Sequence, residues 1–422
     1  MKVVHINATR GGGAALCALR ISDSLKAKGV ETHMIVSSGE ATDTFTVVQK
    51  DRNFWDETKM RRRIRNQLLR FNLFYGEDQL ERKLWKANQK SSEHVFSHLP
   101  LTSYKSLSHH PLIEEADIVH LHWISGFVDY PSFFKEVKKP IVWTLHDKYP
   151  AVGLMHYCSE FFPVPKALVP IDQECREIKR KAVQGLKNLH IVAISKLMLE
   201  ICDKSDILHG LDTTLIHNGV DTNIFKPTEK SEARQELGLP IQNEDGAKTT
   251  IFMVCGFDIF SRNKGLSRVI QALNGIDLPN KMLICIGAVP ESMPDLKASF
   301  PIKFFGLIKD STLLSKLYSA ADFYIQASLE ETFAQTPLEA MSCGTPVVLT
   351  PCSGAPEIIH PYNGILCDGF EVNDLRQGIQ DALKEEQKGS FSPSLIRANM
   401  VDNFSYDIIA DQYLKLYEKV LN

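Results

Sequence analysis

The chain has 422 residues, of which 44% are hydrophobic and 23% are charged. This length exceeds what a single hydrophobic core usually holds, and the composition is that of an ordinary globular protein, so we expect two domains. The formal net charge of -3 gives no bulk electrostatic reason to expect a nucleic-acid partner, and none is predicted.

The cysteines and the apolar runs indicate the redox compartment of the protein and whether it spans a membrane. The nine cysteines are scattered without a CxxC pair, so neither a disulfide framework nor a zinc site is indicated, and we expect a reducing, cytoplasmic compartment. The first predicted strand begins at the N-terminus without a secretory h-region, and no run of about 18 apolar residues is available to span a bilayer. The chain is therefore predicted not to be an integral membrane protein.

Short apolar runs rich in β-branched residues alternate with helical patterns along the chain. This alternation is typical of βαβ units and predicts an α/β fold with parallel sheets. The strands predicted in the first half are 3–7, 32–36, 118–123, 141–145, 191–194 and 214–217. Those predicted in the second half are 251–255, 282–286, 304–307, 323–326 and 346–349, with helices at 266–273, 312–320, 374–384 and 406–421. A polar, turn-rich stretch at 217–248 lies between the halves and is predicted to be the interdomain linker.

Three glycines, Gly11 to Gly13, follow the first predicted strand and precede a helical pattern. A turn of this kind brings bare backbone N–H groups close to an anion. The spacing is neither a GxGxxG fingerprint nor a P-loop, and a glycine-rich turn is common after the first strand of doubly wound folds. An anion site and a plain scaffold turn both remain open interpretations.

A basic amphipathic helix is predicted for residues 59–70. Its positive charges come without an acid among them and alternate with apolar side chains. The basic residues are Lys59, Arg61, Arg62, Arg63, Arg65 and Arg70, and the apolar ones are Ile64, Leu68 and Leu69, with Phe71 and Phe74 just beyond position 70. Since each positive charge is worth about 1 kcal/mol near an anionic leaflet, peripheral membrane docking is one interpretation. The other is an ordinary solvated helix face.

Histidines lie at the ends of two buried strands predicted in the first half. His146, in "IVWTLHDKYP", directly follows its strand, where ligands bind in parallel α/β folds. Adjacent strand residues point to opposite faces, so we do not expect Asp147 to orient the His146 ring. His120 and His122, in "DIVHLHW", share a face at a spacing that also suits a metal. Because no carboxylate or cysteine third ligand is evident nearby, packing is favoured and no metal site is predicted.

A basic loop is predicted at a strand–helix junction of the second half, in "VCGFDIFSRNKGLSRVI". Arg262 and Lys264 precede Gly265 there. Cations at such a junction can neutralise the charge that builds on a departing diphosphate. The plainer alternative is a solvated basic loop.

Two carboxylates in "EETFAQTPLEAMSCGTPVV" form the most informative motif. Glu331 lies in a polar loop after the predicted strand at 323–326, and Glu339 lies on a helical pattern that begins near Thr336. Both acids are therefore expected near one helix N-terminus, whose free N–H groups suit phosphates while the acids bind hydroxyls. An arbitrary pair of glutamates would more often be solvated, but Glu339 lies in an apolar segment where an unpartnered acid is costly. A nucleotide sugar has the matching shape.

This window, followed by "SGAPEII" at 353–359, closely resembles the E-x7-E signature of the retaining group 1 glycosyltransferases, also called family 4. The stretch "HNGVDTNIFKP" at 217–227 matches a second motif of that family. The resemblance implies a GT-B fold, in which two Rossmann-like domains face each other across a cleft. It implies an acceptor domain at 1–218, a nucleotide-sugar donor domain at 219–405 and a C-terminal helix at 406–422 that crosses back to the first domain.

The resemblance also implies roles for individual residues. The catalytic residues it implies are His146, Glu331 and Lys264. The donor-binding residues it implies are Gly12, Gly13, Arg262, Lys264, Ile308, Glu331, Gln335, Thr336 and Glu339. The basic residues and the helix N–H groups would hold the diphosphate, Glu339 the ribose and Glu331 the sugar hydroxyls, while Ile308 backbone groups would read the base.

Two departures from the family pattern bear on activity. Phe257 stands where relatives carry an arginine, and Arg262 is the expected substitute for that arginine. A Gly-Gly-Cys-His-Tyr pattern found in capsule-type relatives is kept here only at His156 and Tyr157. The resemblance to that subset therefore does not define the acceptor.

The function that the resemblance implies is retaining transfer of a sugar from a UDP- or GDP-sugar to a glycan acceptor. A lipid-linked acceptor is expected, in the biosynthesis of a surface polysaccharide such as a capsule or exopolysaccharide, at the inner face of the cytoplasmic membrane. No DxD motif occurs, so catalysis is expected to need neither a metal nor a cofactor beyond the donor. The alternatives are a degenerate sugar-nucleotide-binding subunit of a polysaccharide-assembly complex, which Phe257 favours, and a phosphorylase-like or epimerase-like enzyme of the same fold.

Overall fold

The computed structural model describes residues 1–51, 59–70, 77–89, 96–243 and 246–422. The chain divides into two units, the first formed by Met1–Ile216 and Ala410–Asn422 and the second by His217–Ile409. Each unit is built on one parallel β-sheet accompanied by helices. The α/β class predicted from the alternation of strands and helices is therefore confirmed.

The sheet of the first unit has seven parallel strands in the order β3-β2-β1-β4-β5-β6-β7. These strands are β1 (Lys2–Ile6), β2 (Glu31–Val36), β3 (Phe45–Val47), β4 (Ile118–Leu121), β5 (Ile141–Leu145), β6 (Leu189–Ala193) and β7 (Asp212–Leu215). Strands β4, β5 and β6 are buried along their whole length, which explains why they read as continuous apolar runs. The strand order reverses between β1 and β4, and ligands of α/β sheets bind at the carboxyl ends beside such a reversal.

The helices of the first unit follow these strands in the chain. They are α1 (Gly13–Ala27), α2 (Lys59–Arg70), α3 (Glu77–Asn88), α4 (Pro111–Glu115), α5 (Tyr130–Glu136), α6 (Val169–Val183) and α7 (Lys196–Lys204). Side-chain caps define several starts, as where Ser195 accepts a hydrogen bond from the backbone N–H of Met198 at the beginning of α7. Helix α2 confirms the helix predicted at 59–70, whereas Phe71 and Phe74 lie outside the described residues.

The second unit has six parallel strands in the order β10-β9-β8-β11-β12-β13. Its strands are β8 (Thr250–Cys255), β9 (Lys281–Ile286), β10 (Ile302–Gly306), β11 (Phe323–Gln326), β12 (Val347–Leu349) and β13 (Gly364–Leu366). Its helices are α8 (Lys230–Glu236), α9 (Leu266–Asn274), α10 (Ser311–Ala320), α11 (Gln335–Ser342), α12 (Ala355–Ile358), α13 (Val372–Gln387) and α14 (Pro393–Phe404). Strands β3 and β13, of three residues each, were not predicted.

The last helix, α15 (Tyr406–Leu421), has the bounds that the sequence predicted. From Ala410 onward its residues belong to the first unit. There Tyr413 OH lies 2.8 Å from Thr144 Oγ1, and Tyr417 OH lies 2.7 Å from His120 Nδ1. The C-terminal part of α15 therefore packs on β4 and β5.

The stretch at 217–248 predicted to be a linker is instead an integral part of the second unit, apart from 244–245, which lie outside the described residues. It contains α8, whose Arg234 is only 2% exposed. The Arg234 guanidinium donates to Asp322 Oδ2 at 2.6 Å and to Ala320 O at 2.9 Å. Because these partners come more than 80 positions later, the polar composition of the stretch does not reveal its burial.

None of the helices that the structure describes has both the length and the apolar character that crossing a membrane requires.

Candidate active site

The loop between β11 and α11 carries Glu331, the first of the two predicted acids. Lys264 reaches it from the loop between β8 and α9, with Nζ 2.5 Å from Glu331 Oε1. Ser328 Oγ donates to the same carboxylate oxygen at 3.0 Å. The Lys264 side chain is 30% exposed and that of Glu331 18%, so a ligand can reach both groups. The structure thus places these two predicted catalytic residues in direct contact.

Asn263, which sequence reasoning missed, ties the two loops together. Its Nδ2 donates to Glu330 O at 2.9 Å, and its Oδ1 accepts from Glu330 N at 2.9 Å. Gly265 has a φ of 73°, in the left-handed region, and a Cβ there would lie 2.5 Å from Ala327 O. The backbone conformation and the close approach of the two loops therefore explain why a glycine follows Lys264, since any larger residue would collide with the second loop.

Glu339, the second predicted acid, is buried on α11 with 7% exposure. This burial was expected from its apolar neighbours. Tyr318 OH, on α10, donates to Glu339 Oε2 at 3.0 Å. Burial raises the pKa of Tyr318 well above its ordinary value, so the hydroxyl keeps its proton and remains a donor. The Tyr318 hydroxyl therefore supplies one of the hydrogen bonds to Glu339 that the sequence led us to expect from a ligand.

The start of α11 offers donors that suit an anion. The helix begins at Gln335 with Ala334 as its N-cap, and Ala334 provides no side-chain hydrogen bond to the first N–H groups. Gln335 Oε1 accepts from Tyr406 OH at 3.4 Å, whereas its buried Nε2 has no hydrogen-bond partner in the described part of the chain. Thr336 Oγ1 accepts from Tyr324 OH at 2.7 Å. Uncapped N–H groups, the helix dipole and an unpaired amide together favour a negatively charged ligand.

A pocket lies beside these groups, with about 310 Å³ of non-protein space that includes open solvent. Its lining includes Cys255, Lys264, Tyr324, Ser328 and Thr336. Burial raises the pKa of Cys255 to about 12, so its thiol stays protonated and is part of the wall rather than a nucleophile. The other polar lining groups are the Lys264 cation, three hydroxyls and the amide of Gln326, and the rest of the lining is apolar. The cation and the hydroxyls can donate hydrogen bonds to phosphate oxygens.

Of the donor residues predicted in the second unit, only Lys264 and Thr336 line this pocket. Within the described residues, its lining includes none of Arg262, Ile308, Glu331, Gln335 and Glu339. Arg262 is exposed, and its carbonyl accepts a hydrogen bond from Arg268 Nη1 at 3.3 Å. Ile308 is half-buried just beyond β10. Phe257, which replaces the family arginine, is 72% exposed.

Gly12 and Gly13 form the start of α1 in the first unit. Gly12 has a φ of 91°, and α1 begins at Gly13 without a side-chain cap. A Cβ on either glycine would meet no described atom within 4 Å, so this backbone borders open space. The Arg10 side chain contacts other parts of the first unit. Its Nη1 donates to Glu40 O at 2.7 Å, and its guanidinium lies 4.3 Å from the centre of the Phe45 ring.

His146 directly follows β5 and is the end of a chain of imidazoles. Its Nε2 lies 3.1 Å from His122 Nδ1, and His122 Nε2 lies 3.0 Å from His5 Nδ1. Burial lowers the pKa of His146 to about 4 and that of His5 to about 3. Both rings are therefore neutral at pH 7. The sequence suggested His146 alone here, whereas the pairing of β4 with β5 brings His122 beside it and the pairing of β1 with β4 adds His5.

The group of His5, His120 and His122 also has a spacing at which a metal could bind. Their nearest ring nitrogens all lie within 4.8 Å of one another, and all three residues are buried. His5 is the third member that the sequence did not reveal. His120 uses Nε2 on Thr144 Oγ1 at 2.8 Å and Nδ1 on Tyr417 OH at 2.7 Å. Because the ring nitrogens of His120 and His122 are engaged in hydrogen bonds, we interpret the group as a polar core.

Asp147 directs its carboxylate away from His146, as strand alternation predicted. Its Oδ2 accepts from Trp123 Nε1 at 2.8 Å and lies 2.6 Å from His156 Nδ1, while Oδ1 accepts from Tyr149 N at 3.0 Å. Burial acts to raise the pKa of Asp147, but the hydrogen bonds from His156 and Trp123 hold it below its ordinary value. The carboxylate is therefore ionised and belongs to a separate network around His156.

Two parallel α/β units in one chain define the GT-B class of fold, and solved structures share it. Sucrose-phosphate synthase from Thermosynechococcus elongatus is similar over 99% of this chain and 98% of its own, with a TM-score of 0.70 and 18% identity. Anabaena HepE, solved in complex with UDP and glucose, is similar over 99% of each chain, with a TM-score of 0.65 and 19% identity. At such identities the likeness establishes the fold alone.

The second unit is identified more closely by its sequence. Residues 241–396 match the family model described as glycosyl transferases group 1, and this segment contains Lys264, Glu331 and Glu339. This segment of the second unit is therefore similar to the group 1 glycosyltransferases. The D-inositol 3-phosphate glycosyltransferase of Mycobacterium tuberculosis (strain ATCC 25618 / H37Rv) is 26% identical over 325 residues, which are 72% of this chain. The match spans 62% of the length of that relative.

Proposed function

We propose that this chain is a glycosyltransferase that moves a sugar from a nucleotide-diphosphate sugar to a hydroxyl acceptor. The contact between Lys264 Nζ and Glu331 Oε1 at 2.5 Å, beside the uncapped start of α11, carries the proposal. This arrangement offers a cation and N–H groups to a diphosphate and a carboxylate to sugar hydroxyls. Glu339, on the same helix, binds the ribose diol with Tyr318 holding its other side.

The chemistry assigned to these residues follows from the charge that moves. The bond between the anomeric carbon and the diphosphate oxygen breaks, and negative charge develops on the leaving diphosphate. Lys264 and the N-terminus of α11 stabilise that charge, and the loss of one such donor typically costs roughly 10²–10³-fold in rate. Glu331 accepts hydrogen bonds from the sugar and so orients its anomeric carbon.

The finer features of the reaction are proposed on the same basis. The acceptor oxygen bonds to the anomeric carbon on the face that the diphosphate leaves, and the acceptor proton passes to the leaving diphosphate oxygen, so configuration is retained without a metal. Arg262 supplements Lys264, and Ile308 contacts the base. UDP-glucose is the first donor to test, because the HepE structures were solved with UDP and with UDP-glucose. A GDP-sugar is the second.

We propose a lipid-linked glycan acceptor, in surface polysaccharide synthesis at the cytoplasmic face of a membrane. The support comes from α2, which carries Arg61 and the exposed Arg63 beside Met60 and Ile64, exposed by 71% and 42%. A helix with basic and exposed apolar side chains suits the surface of an anionic leaflet.

A thermal-shift screen against UDP, GDP and their sugars, followed by an assay of donor hydrolysis without acceptor, tests the proposed function. We expect one nucleotide diphosphate and its sugar to raise the melting temperature, since ligands that bind only the folded state stabilise it. Slow hydrolysis of that donor is expected as well. Stabilisation without any hydrolysis would favour the non-catalytic binding subunit, and the absence of stabilisation by every nucleotide would contradict the proposal.

A further inference from the structure

A line of three polar side chains lies in the first unit, separate from the imidazole chain of His146. The Asp147 carboxylate lies 2.6 Å from His156 Nδ1, and His156 Nε2 lies 2.8 Å from His98 Nδ1. His156 is buried with 3% exposure, whereas His98 is half-buried. The line therefore joins the half-buried carboxylate of Asp147 to the half-buried His98 ring through a buried His156, and nothing in the proposed donor chemistry uses it.

The ionised carboxylate determines where the protons of a neutral relay lie. Asp147 can only accept, so the proton of a neutral His156 is on Nδ1 and its Nε2 is a bare acceptor. His98 must then donate from Nδ1, which leaves a lone pair on His98 Nε2. Burial and the neighbouring His156 lower the pKa of His98 to about 4, so this ring is neutral at pH 7. When both rings are neutral, the relay presents a hydrogen-bond acceptor at its outer end.

Aromatic rings surround this outer end. Phe96 is 51% exposed, and its ring stacks on Trp123 with 6.3 Å between centroids and an interplanar angle of 2°. The His98 ring meets Trp123 edge-on at 5.4 Å. Trp123 is itself held by its hydrogen bond to Asp147. An exposed aromatic face beside a fixed acceptor is the combination that recognises a sugar ring, whose C–H face packs on the aromatic ring while a hydroxyl donates.

Two further observations place this group where a ligand binds. Trp123 and Asp147 come just after β4 and β5, at the carboxyl edge of the sheet, next to the reversal of strand order. The exposed Gly126 borders the His98 ring so closely that a Cβ there would lie 3.0 Å from His98 Cδ2 and 3.7 Å from Nε2. A glycine at this point keeps side-chain atoms away from the Nε2 edge.

We propose that Phe96, Trp123 and the relay of His98, His156 and Asp147 form a binding subsite for a pyranose ring of the acceptor. His98 Nε2 accepts a hydrogen bond from one sugar hydroxyl, and Phe96 packs against the ring face. The assignment of the sugar to the acceptor rests on the proposed function. His156 and Asp147 are positioning residues, since they act through His98.

Nitrogen-15 NMR of the histidine rings during titration with methyl glucoside, methyl galactoside and methyl mannoside tests the subsite. We expect the unliganded protein to carry the His98 proton on Nδ1, and we expect at least one glycoside to shift the His98 Nε2 resonance. In the Asp147→Asn variant, we expect the proton of His156 no longer to favour Nδ1. If His156 served packing alone, this change in proton position would not be required. A His98 ring protonated on Nε2 in the wild type would overturn the relay.

Variants separate the subsite from general effects on folding. Phe96→Ala and His98→Ala should each weaken glycoside binding about tenfold, the loss expected from one well-placed contact. His209→Ala, which removes an exposed histidine of the same unit, should leave glycoside binding unchanged. UDP binding, measured in the same samples, reports separately on the second unit. If no glycoside perturbs His98 while UDP still binds, the subsite is wrong and the proposed function survives. If glycosides bind as expected and UDP does not, the subsite is supported and the proposed function is wrong.

Discussion

Glu331 and Glu339 are held by different kinds of partner, and this difference matches the ligand groups proposed for each. Glu331 faces a cation at the surface of a pocket, whereas the buried Glu339 faces the neutral hydroxyl of Tyr318. The motif predicted both acids but neither Tyr318 nor Asn263. Tyr318 lies 21 positions before Glu339, and Asn263 lies 67 positions before its partner Glu330. A local sequence pattern cannot show such distant contacts.

Replacing Tyr318 by Phe tests how Glu339 is stabilised. The change removes the hydroxyl that donates to Glu339 Oε2 and leaves a buried carboxylate with one donor fewer. Hydrogen bonds to charged groups contribute about 1.5–3 kcal/mol, so we expect the free energy of unfolding in urea to fall by about that amount. Nucleotide affinity should fall as well, because Glu339 is then free to turn from the ribose.

Tyr413→Phe is the matched control for that variant. Tyr413 OH pairs with the neutral hydroxyl of Thr144 in the first unit at 2.8 Å. We expect a loss of about 0.5–1.5 kcal/mol and unchanged nucleotide affinity. Equal effects of the two substitutions on stability and on affinity would contradict a special role for the contact between Tyr318 and Glu339.

The buried His5 predicts that stability depends on pH. Burial lowers its pKa from 6.5 to about 3 in the folded protein. Between these values the unfolded chain binds more protons than the folded one, so the free energy of unfolding rises with pH. As the pH falls below 6.5, the His5 contribution decreases by up to about 1.4 kcal/mol per pH unit, and His120 and His122, whose pKa values burial also lowers, act in the same direction.

Urea unfolding at about pH 5 and about pH 7.5 measures this dependence. His5→Gln should reduce the difference between the two free energies of unfolding, whereas the exposed His209→Gln should preserve it. Equal stability of the wild type at both pH values would show that the imidazoles are not neutral in the folded state.

At the scale of elements, the turn into α9 and the loop after β11 position the candidate site. Gly265→Ala adds a Cβ where Ala327 O would lie 2.5 Å away, at a φ of 73°. Gly389→Ala has the same backbone strain at a φ of 72° but meets no described atom within 4 Å. The left-handed strain costs about 1–2 kcal/mol in both variants. We expect a larger loss of stability in Gly265→Ala, and a loss of UDP affinity in that variant alone. Similar UDP affinities in both would show that the loop contact does not support the site.

Helix α2 is the element assigned to membrane contact. Arg61→Glu together with Arg63→Glu reverses two charges and should reduce flotation with phosphatidylserine-containing liposomes, because each charge contributes about 1 kcal/mol near an anionic leaflet. Lys181→Glu together with Lys204→Glu reverses the same number of charges on α6 and α7, at side chains exposed by 72% and 75%. Flotation should persist in this control. Equal loss in both variants would indicate a general charge effect, and absence of flotation in the wild type would contradict the assignment.

Elements with a strong local pattern were predicted well, and those that depend on distant partners were not. The buried strands β5 and β11 have the predicted bounds, since continuous apolar runs between turns are unambiguous. Helix α8 was not predicted. It lies in a polar stretch, and its buried Arg234 pairs with Asp322, which comes much later in the chain. Burial of a charged residue cannot be inferred from composition when its partner is remote.

At the scale of the whole molecule, the alternation of strands and helices predicted two α/β units, and the structure divides the chain at Ile216. The sequence could not show which strands become neighbours. His5 and His122 meet only because β1 pairs with β4, although the two residues are 117 positions apart. The motif of Glu331 and Glu339 was local and therefore predictable, whereas the imidazole chain depends on sheet order.

Calorimetric titration of UDP and GDP into the wild type and the Lys264→Ala variant tests the central proposal most directly. Lys316→Ala is the matched control, because Lys316 is 35% exposed and also pairs with a glutamate of the second unit. We predict that one nucleotide binds the wild type and the control alike and binds Lys264→Ala at least about tenfold more weakly. Equal affinities in all three proteins, or no binding of either nucleotide to the wild type, would contradict a nucleotide-sugar site at Lys264 and Glu331.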